Sequence, residues 1–261
     1  IDNGNNSGWT LNGPSANTYY WIGGTGYWSD TLHWSTTTGG SAGSCLPQST
    51  DNVIFDANSF STAAQTVTID LANAYCKSMT WSGVTNMPTL ASSSASNNLN
   101  IYGSLTLSPN MNVIYNGNLS FEGDTTGNSI NTGNLQLSSS ITFNSPTGGW
   151  TLQDSLKTTG AITLTSGALT SHNNFIQTDA FNSNNNNVRA ANFGTSTINL
   201  TSNSSTVWDV NSSIELDADS TNIFISNGTE LTTGGFTYNN IYINPTSVSY
   251  THLTLPTSYA V

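Results

Sequence analysis

The chain has 261 residues and carries little charge, since Lys, Arg, Asp and Glu make up only 7% of it. Three basic residues oppose 14 acidic ones, which gives a net charge of −11. This balance argues against nucleic acid, anionic lipid and polyanionic substrates as partners, because binding phosphate requires Lys and Arg. The sequence contains no run of 18 apolar residues, so we expect no membrane insertion.

The polar residues that take the place of charge are mainly Asn, Ser and Thr. Asn and Ser side chains compete for backbone hydrogen bonds and are poor helix formers. Thr and aromatic residues suit strands, and seven Trp with an aromatic content of 10% supply apolar surface for a core. The composition therefore predicts an all-β fold with a packed interior.

Taken in chain order, the composition changes several times. Residues 1–18 are polar and rich in Gly and Asn, which is typical of a linker or arm. Residues 19–98 begin with tryptophans crowded among glycines, and residues 53–55 form a predicted short buried strand. We interpret this part as an N-terminal cap followed by the first coils of a repetitive fold. Residues 99–247 then form the predicted shaft.

Short alternating runs recur from residue 66 onward, and alternation with period two marks half-buried strands. The runs are TVTID (66–70), LNIYGSLTL (99–107), NLSF (118–121), SITF (140–143), GAITLTSGALT (160–170), STINL (196–200), SSIEL (212–216), TNIFI (221–225) and NIYI (240–243). Strand starts at 99, 118, 140 and 160 lie roughly 20 residues apart, a length typical of one coil of a solenoid. The spacing predicts a right-handed parallel β-helix with six or seven coils between residues 99 and 243. An antiparallel β-sandwich built from the same strands stays open as the alternative.

Several motifs resemble those of a known group of secreted proteins. The motifs are WIGGTGYWSDTLHWS, CLPQSTDNVIFDANSF, TVTIDLANAYCKSMTWSG, LNIYGSLTL, GGWTLQDSL and GAITLTSGAL. They are similar to adhesin-like or autotransporter-like β-helix repeat proteins, mainly of Bacteroidota, which often carry a C-terminal type IX sorting domain. The resemblance covers about residues 19–243 and implies a secreted cell-surface protein with no catalytic residues to carry over.

The last residues have a different resemblance. The string VSYTHLTLPT at residues 248–257 resembles the translation of a common transposase-based sequencing adapter. We therefore expect residues 248–261 not to belong to the natural protein, and the chain to be a truncated reading frame from shotgun DNA. His252 is left out of the candidate sites for this reason.

The aromatic cluster near the start has two interpretations. Trp21, Trp28, His33 and Trp34 could form a platform on which sugar rings stack. The alternative is a cap that plugs the first coil with large side chains and prevents edge pairing. We favour the cap and retain these four residues as a candidate carbohydrate site.

The acidic loop residues are the candidates for a metal site. Asp51, Asn52 and Asp56 could supply oxygen ligands to Ca²⁺. The sequence lacks both the D-x-D-x-D-G loop and the G-G-x-G-x-D repeat, and Asp and Asn also cap turns. We expect no cofactor, with calcium as the single alternative.

The two cysteines, Cys45 and Cys76, are the only ones in the chain. In an Asn/Ser/Thr-rich, Lys-poor sequence they suggest an oxidising location and one disulfide that clamps the cap to the first coil. Two separate thiols are the alternative.

The segment S-I-E-L-D-A-D places Glu215, Asp217 and Asp219 at alternate positions of one strand. All three would point to the same outer face, about 6.6 Å apart along the strand. An inverting glycoside hydrolase needs two carboxylates roughly 6.5–9.5 Å apart, so this spacing is compatible with hydrolysis. A solvated acidic face is the simpler interpretation.

These observations predict an extracellular structural and adhesive segment of a bacterial surface protein, without catalysis. Glycans or cell-surface molecules are its expected partners, and the chain is expected to be a monomeric segment of a longer protein. A carbohydrate-binding module of a larger secreted enzyme is the first alternative, and a glycoside hydrolase is the second.

Overall fold

The computed structural model describes residues 16–203, 206–227 and 230–243, and its regular structure is almost entirely β-strand. The one helical element in these ranges is a 3-10 turn at Thr31–His33. The described part of the chain contains no helix that is long and apolar enough to cross a membrane. Most of the predicted arm (1–18), the end of the predicted shaft (244–247) and the adapter-like segment (248–261) lie outside the described residues.

The strands are numbered in chain order. They are β1 (Thr18–Trp21), β2 (Gly26–Tyr27), β3 (Trp34–Ser35), β4 (Asn52–Phe55), β5 (Thr66–Ile69), β6 (Asn73–Cys76), β7 (Met79–Trp81), β8 (Thr89–Ser92), β9 (Asn98–Ile101), β10 (Leu105–Thr106), β11 (Asn112–Val113), β12 (Asn118–Phe121), β13 (Asn128–Asn131), β14 (Gln136–Leu137), β15 (Ser140–Leu152), β16 (Leu156–Thr158), β17 (Ile162–Thr170), β18 (Ile176–Thr178), β19 (Phe181–Ser183), β20 (Arg189–Asn192), β21 (Thr197–Leu200), β22 (Thr206–Val210), β23 (Glu215–Asp217), β24 (Asn222–Ile225), β25 (Glu230–Thr233) and β26 (Asn240–Ile243).

These strands form a parallel β-solenoid of about eight coils. Each strand pairs with the strand one coil away: the partners of Asn118 are Asn98 and Ser140, which matches the predicted period of about 20 residues. Among the described strand pairs, only β1 with β3 is antiparallel. The prediction of a parallel β-helix is therefore confirmed, and the antiparallel sandwich is wrong.

The strands stack in three columns. The first column contains β1, β4, β7, β10, β13, the end of β15, the end of β17, β20 and β23. The second contains β6, β9, β12, the starts of β15 and β17, β19, β22 and β25. The third is divided into two sheets, one of β2, β5, β8 and β11 and one of β14, β16, β18, β21, β24 and β26, and no described pairing joins β11 to β14. Because β15 and β17 bend through a corner without interruption, they join the first two columns into one sheet.

The core is a single continuous cluster that runs along the solenoid axis from Tyr19 to Ile225. Alternation places every second residue of a strand inward, so Leu99 and Ile101 are fully buried while Asn100 between them faces outward. The register then places apolar residues over apolar residues of the next coil, as Ile101 pairs with Phe121. The sequence pattern that predicted the strands is thus the pattern of burial.

Buried hydroxyl groups connect successive coils at the corners by donating to backbone carbonyls of the preceding coil. Thr178 Oγ1 donates to the Gly160 carbonyl at 2.8 Å, and Ser139 Oγ donates to the Tyr115 carbonyl at 2.9 Å. Both hydroxyl residues have no exposed surface. These bonds satisfy polar groups that burial would leave unpaired, which would cost about 1–3 kcal/mol each.

We expect substitution of a single inward residue to lower the stability of the fold, and substitution of its outward neighbour to have little effect. Leu164 in β17 is fully buried, whereas Thr163 beside it faces outward. Leu164→Ala should lower the free energy of unfolding by about 2–5 kcal/mol because it leaves a cavity. Thr163→Ala should change it by less than about 0.5 kcal/mol. Chemical denaturation of both variants measures this difference, and equal losses would contradict the assigned inward and outward faces.

Candidate functional site

The tryptophans of the predicted sugar platform are buried. Trp21, Trp28 and Trp34 each have 0% exposed surface. Trp21 Nε1 donates to the Gly24 carbonyl at 2.7 Å, and Trp34 Nε1 donates to the Trp28 carbonyl at 2.9 Å. Trp34 packs edge-on against both other indoles, at 5.0 and 4.8 Å between centroids. The carbohydrate site predicted at this cluster is therefore wrong, and its aromatic rings form the cap instead.

His33 closes the cap from outside. Its ring lies parallel to the Trp21 indole, 4.7 Å away with an interplanar angle of 8°, so it covers the ring face that a sugar would need. Its Nδ1 is 2.7 Å from the Ile22 carbonyl oxygen. Gly26 makes room for this ring, because a Cβ at that position would lie 2.1 Å from His33 Nε2. His33 is thus packed as part of the cap and does not serve a binding surface.

The cap also closes the N-terminal edge of the first column. Strand β3 pairs with β1 in antiparallel orientation, joining Trp34 to Trp21 and Ser35 to Tyr20. An exposed strand edge is a template for association with another chain, and this pairing covers it. The same residues that the sequence offered as a ligand platform therefore protect the end of the solenoid.

Two of the predicted calcium ligands, Asp51 and Asp56, act as hydrogen-bond acceptors for backbone N–H groups. The two carboxylate oxygens of Asp51 accept from the Asn17 and Gln48 backbone N–H groups, each at 2.8 Å. Asp56 Oδ1 accepts from the Asn58 N–H at 2.9 Å. Asn52 lies in β4 and pairs with Thr18. In the described ranges, no group of three or more His, Cys, Asp or Glu could hold a metal ion. A calcium site stays a prediction that these contacts do not support.

The predicted disulfide is wrong. Cys76 is the inward residue at the end of β6 and is fully buried against its register partner Ile101. Cys45 lies in the loop before β4 and is exposed, and both thiols are free. Burial raises the pKa of the Cys76 thiol, so it is also protected from reaction as a thiolate.

The three carboxylates of the acidic segment project outward as predicted. Glu215, Asp217 and Asp219 are exposed, while Ile214 and Ala218 between and beside them are buried. In register, Glu215 pairs with Ala190 and Asp217 pairs with Asn192. The carboxylates thus stand on the outer surface of the last coils next to uncharged residues.

One buried cation escaped the sequence-based prediction. Arg189 is 3% exposed and has no carboxylate partner among the described residues. Its guanidinium instead donates to neutral oxygens of Ser183, Asn187, Asn211 and Ser213 at 2.6–3.2 Å. Burial lowers the pKa of this guanidinium. Because Asn211 and Ser213 lie one coil beyond Ser183, Arg189 holds two coils together.

A surface pocket with a volume of about 330 Å³ lies near the end of the third column. Its walls include Phe175 directly before β18, Asn199 in β21, and Phe224 and Tyr242 in β24 and β26. Asn199, Phe224 and Tyr242 occupy the same outward position in three successive coils. The pocket therefore joins aromatic surface to an amide on the outside of the solenoid, where nothing was predicted from the sequence.

Comparisons of the chain with protein-family models, with curated proteins and with solved structures found no match.

The cysteine assignment predicts how many thiols react. A colorimetric thiol reagent should titrate one group per native chain, from the exposed Cys45, and two after denaturation without reductant. Cys45→Ser should abolish the native signal, whereas Cys76→Ser should leave it unchanged. Failure to detect any thiol until a reductant is added would restore the disulfide.

The cap assignment predicts different consequences for two adjacent aromatic residues. Trp28 is fully buried and Tyr27 is 57% exposed. Trp28→Ala should lower the free energy of unfolding by about 3–5 kcal/mol through loss of packing. Tyr27→Ala should leave it within about 0.5 kcal/mol. Thermal and chemical denaturation measure both, and a stable Trp28→Ala variant would remove this cluster from the core.

Proposed function

We propose that this protein is an extracellular structural and adhesive segment of a bacterial surface protein, which displays an uncharged polar surface on a rigid rod. The observation that carries the proposal is the uninterrupted core, which extends through the coils from Tyr19 to Ile225. Each coil is supported by its neighbours only, so the fold lengthens without needing a wider core. Eight coils spaced by about 4.8 Å span roughly 40 Å.

The outward residues supply the groups for adhesion. In the second column, the outward positions of six successive coils carry amides, hydroxyls and a phenol. They are Tyr75, Asn100, Ser120, Thr142, Thr163 and Asn182, of which Ser120 is buried and donates its hydroxyl to Glu122, so the other five are the ones open to a partner. Such groups donate and accept hydrogen bonds without the desolvation cost of charges. A surface of this kind suits partners that are themselves neutral and hydroxylated.

The opening motif also supports this role. The tryptophan-rich segment resembles that of adhesin-like β-helix proteins, and its residues form a cap that starts a solenoid. Secretion, cell-surface location and the link to Bacteroidota are parts of the proposal that rest on this resemblance. The acidic composition is compatible with an extracellular surface and argues against polyanionic partners.

A carbohydrate-binding role is the second candidate, and the surface pocket at Phe224 favours it. Hydrolysis has less support. Glu215, Asp217 and Asp219 are exposed on an open strand face, and none of them lines the described pocket. General acid catalysis needs a carboxyl group whose pKa is raised, usually by a secluded environment.

The test is an adhesion assay with a catalytic control. Beads coated with the full chain are driven by shear flow over surfaces of neutral polysaccharides, of collagen and of intact cells. We expect retention above that of albumin-coated beads on at least one surface, with no release of reducing ends from the polysaccharides. Retention equal to albumin on all surfaces would contradict adhesion. Release of reducing ends that is lost in Asp217→Asn would show a hydrolase instead.

A further inference from the structure

The pocket at the end of the third column exposes aromatic surface that the fold does not require. Phe224 is 39% exposed and Tyr242 is 46% exposed. Their rings stack on the outside of the solenoid, with centroids 4.4 Å apart and an interplanar angle of 12°. The inward residues Ile223 and Ile225 already complete the core at this level. The two rings therefore contribute to a surface, and large apolar groups clustered on a surface mark interaction sites.

Polar groups are placed beside these rings. Asn199 lies one coil before Phe224 in the same outward register, and Thr197 lies two residues earlier on the same strand. Asn199 Oδ1 accepts a hydrogen bond from Ser226 Oγ at 3.4 Å. Within the described residues, no acceptor is assigned to Asn199 Nδ2, so the amide retains donors for a ligand. Asn199, Ser226 and Thr197 together offer donors and acceptors next to aromatic walls.

The size and charge of the pocket restrict its ligand. A volume of about 330 Å³ is at the small end of the range for ligand pockets, which suits a single ring rather than an extended chain. None of the described residues that line the pocket is charged. The net charge of −11 opposes anionic ligands, and no lining carboxylate attracts a cation. The ligand is therefore expected to be neutral and ring-shaped, with one apolar face and several hydrogen-bonding groups.

We infer that this pocket binds one neutral hexopyranose unit of a glycan. The C–H face of the sugar packs on the rings of Phe175 and Phe224, and its hydroxyl groups exchange hydrogen bonds with Asn199, Ser226 and Thr197. Tyr242 extends the aromatic wall on the side of the last described coil. This inference rests on the proposed adhesive function and names its ligand class and its position on the rod.

The experiment is affinity electrophoresis of the full chain in gels that contain a soluble neutral polysaccharide. The three hexose probes are a β-glucan, a mannan and a galactan, and polygalacturonate is the anionic probe. We expect at least one of the hexose polymers to retard the wild-type chain, and polygalacturonate not to do so. Phe224→Ala should weaken binding about tenfold, the effect of losing one aromatic contact. Asn199→Ala should weaken it similarly, whereas Phe224→Tyr should retain it.

Tyr27→Ala is the matched control, because Tyr27 is also an outward aromatic residue of the third column but lies at the opposite end. Circular dichroism and melting temperature establish that each variant is folded. Wild-type binding that persists in Phe224→Ala would overturn this pocket and leave the adhesive function standing. If none of the hexose polymers retards the chain, the pocket is also overturned. Bead retention on collagen or cells would still support adhesion in that case. Retardation by polygalacturonate would overturn the neutral-ligand assignment.

Discussion

The structure depends on in-register hydrogen bonding between successive coils. This pairing places each residue directly over its counterpart one coil away, at a spacing of about 4.8 Å. Inward residues are therefore forced into contact with the same position of the next coil, as Phe121 is with Phe143, whose rings stack 5.1 Å apart. Each inward side chain therefore packs mainly on the equivalent side chains of the coils before and after it. A continuous core results when every coil has an apolar residue at that position.

The ends of such a stack need a different solution, because the first coil has a neighbour on one side only. At the N-terminal end, large aromatic side chains fill the space that a preceding coil would occupy. Trp21 and Trp34 pack on Phe55, which stacks on Trp81 at 3.9 Å. The density of tryptophan near residue 20 is thus a consequence of the position of the segment in the fold. This explains why a cluster that resembles a sugar platform in the sequence has no surface on which to bind sugar.

Much of this fold could be predicted, because period-two alternation and a period of about 20 residues are both local signals. The run SITF lies within β15 and the run GAITLTSGALT covers all of β17, but the bends of these strands at the corner were not predictable. The burial of Cys76 could also have been predicted from the sequence. Cys76 lies two residues after Ala74 in β6, so period-two alternation places both side chains inward. The disulfide prediction gave composition more weight than this pattern.

The surface pocket could be predicted from the sequence only in part. The strands N-I-F-I and N-I-Y-I place Phe224 and Tyr242 at the same outward position, so the aromatic pair could have been recognised from the sequence. Phe175 lies two coils earlier, at the corner before β18. Its proximity to Phe224 depends on the number of residues in each intervening corner, which alternation alone does not determine. Sites that combine residues from several coils therefore require the register.

The same register disfavours like charges at stacked positions. Like charges that face each other on paired strands repel, and a solenoid would repeat that cost at every coil. In the described register pairs, each charged residue has only uncharged partners: Lys157 with Gln136 and Gln177, Arg189 with Gly167, Asp209 with Asn182 and Thr232, Glu215 with Ala190, Asp217 with Asn192, and Glu230 with Thr206. Stacking therefore favours an outer surface of amides and hydroxyls, with charges only where a neutral neighbour accepts them. Amides and hydroxyls thus predominate at the stacked outward positions, and this agrees with the neutral glycan that we propose as a partner, because a sugar offers hydroxyl groups for hydrogen bonds and an apolar C–H face for aromatic rings.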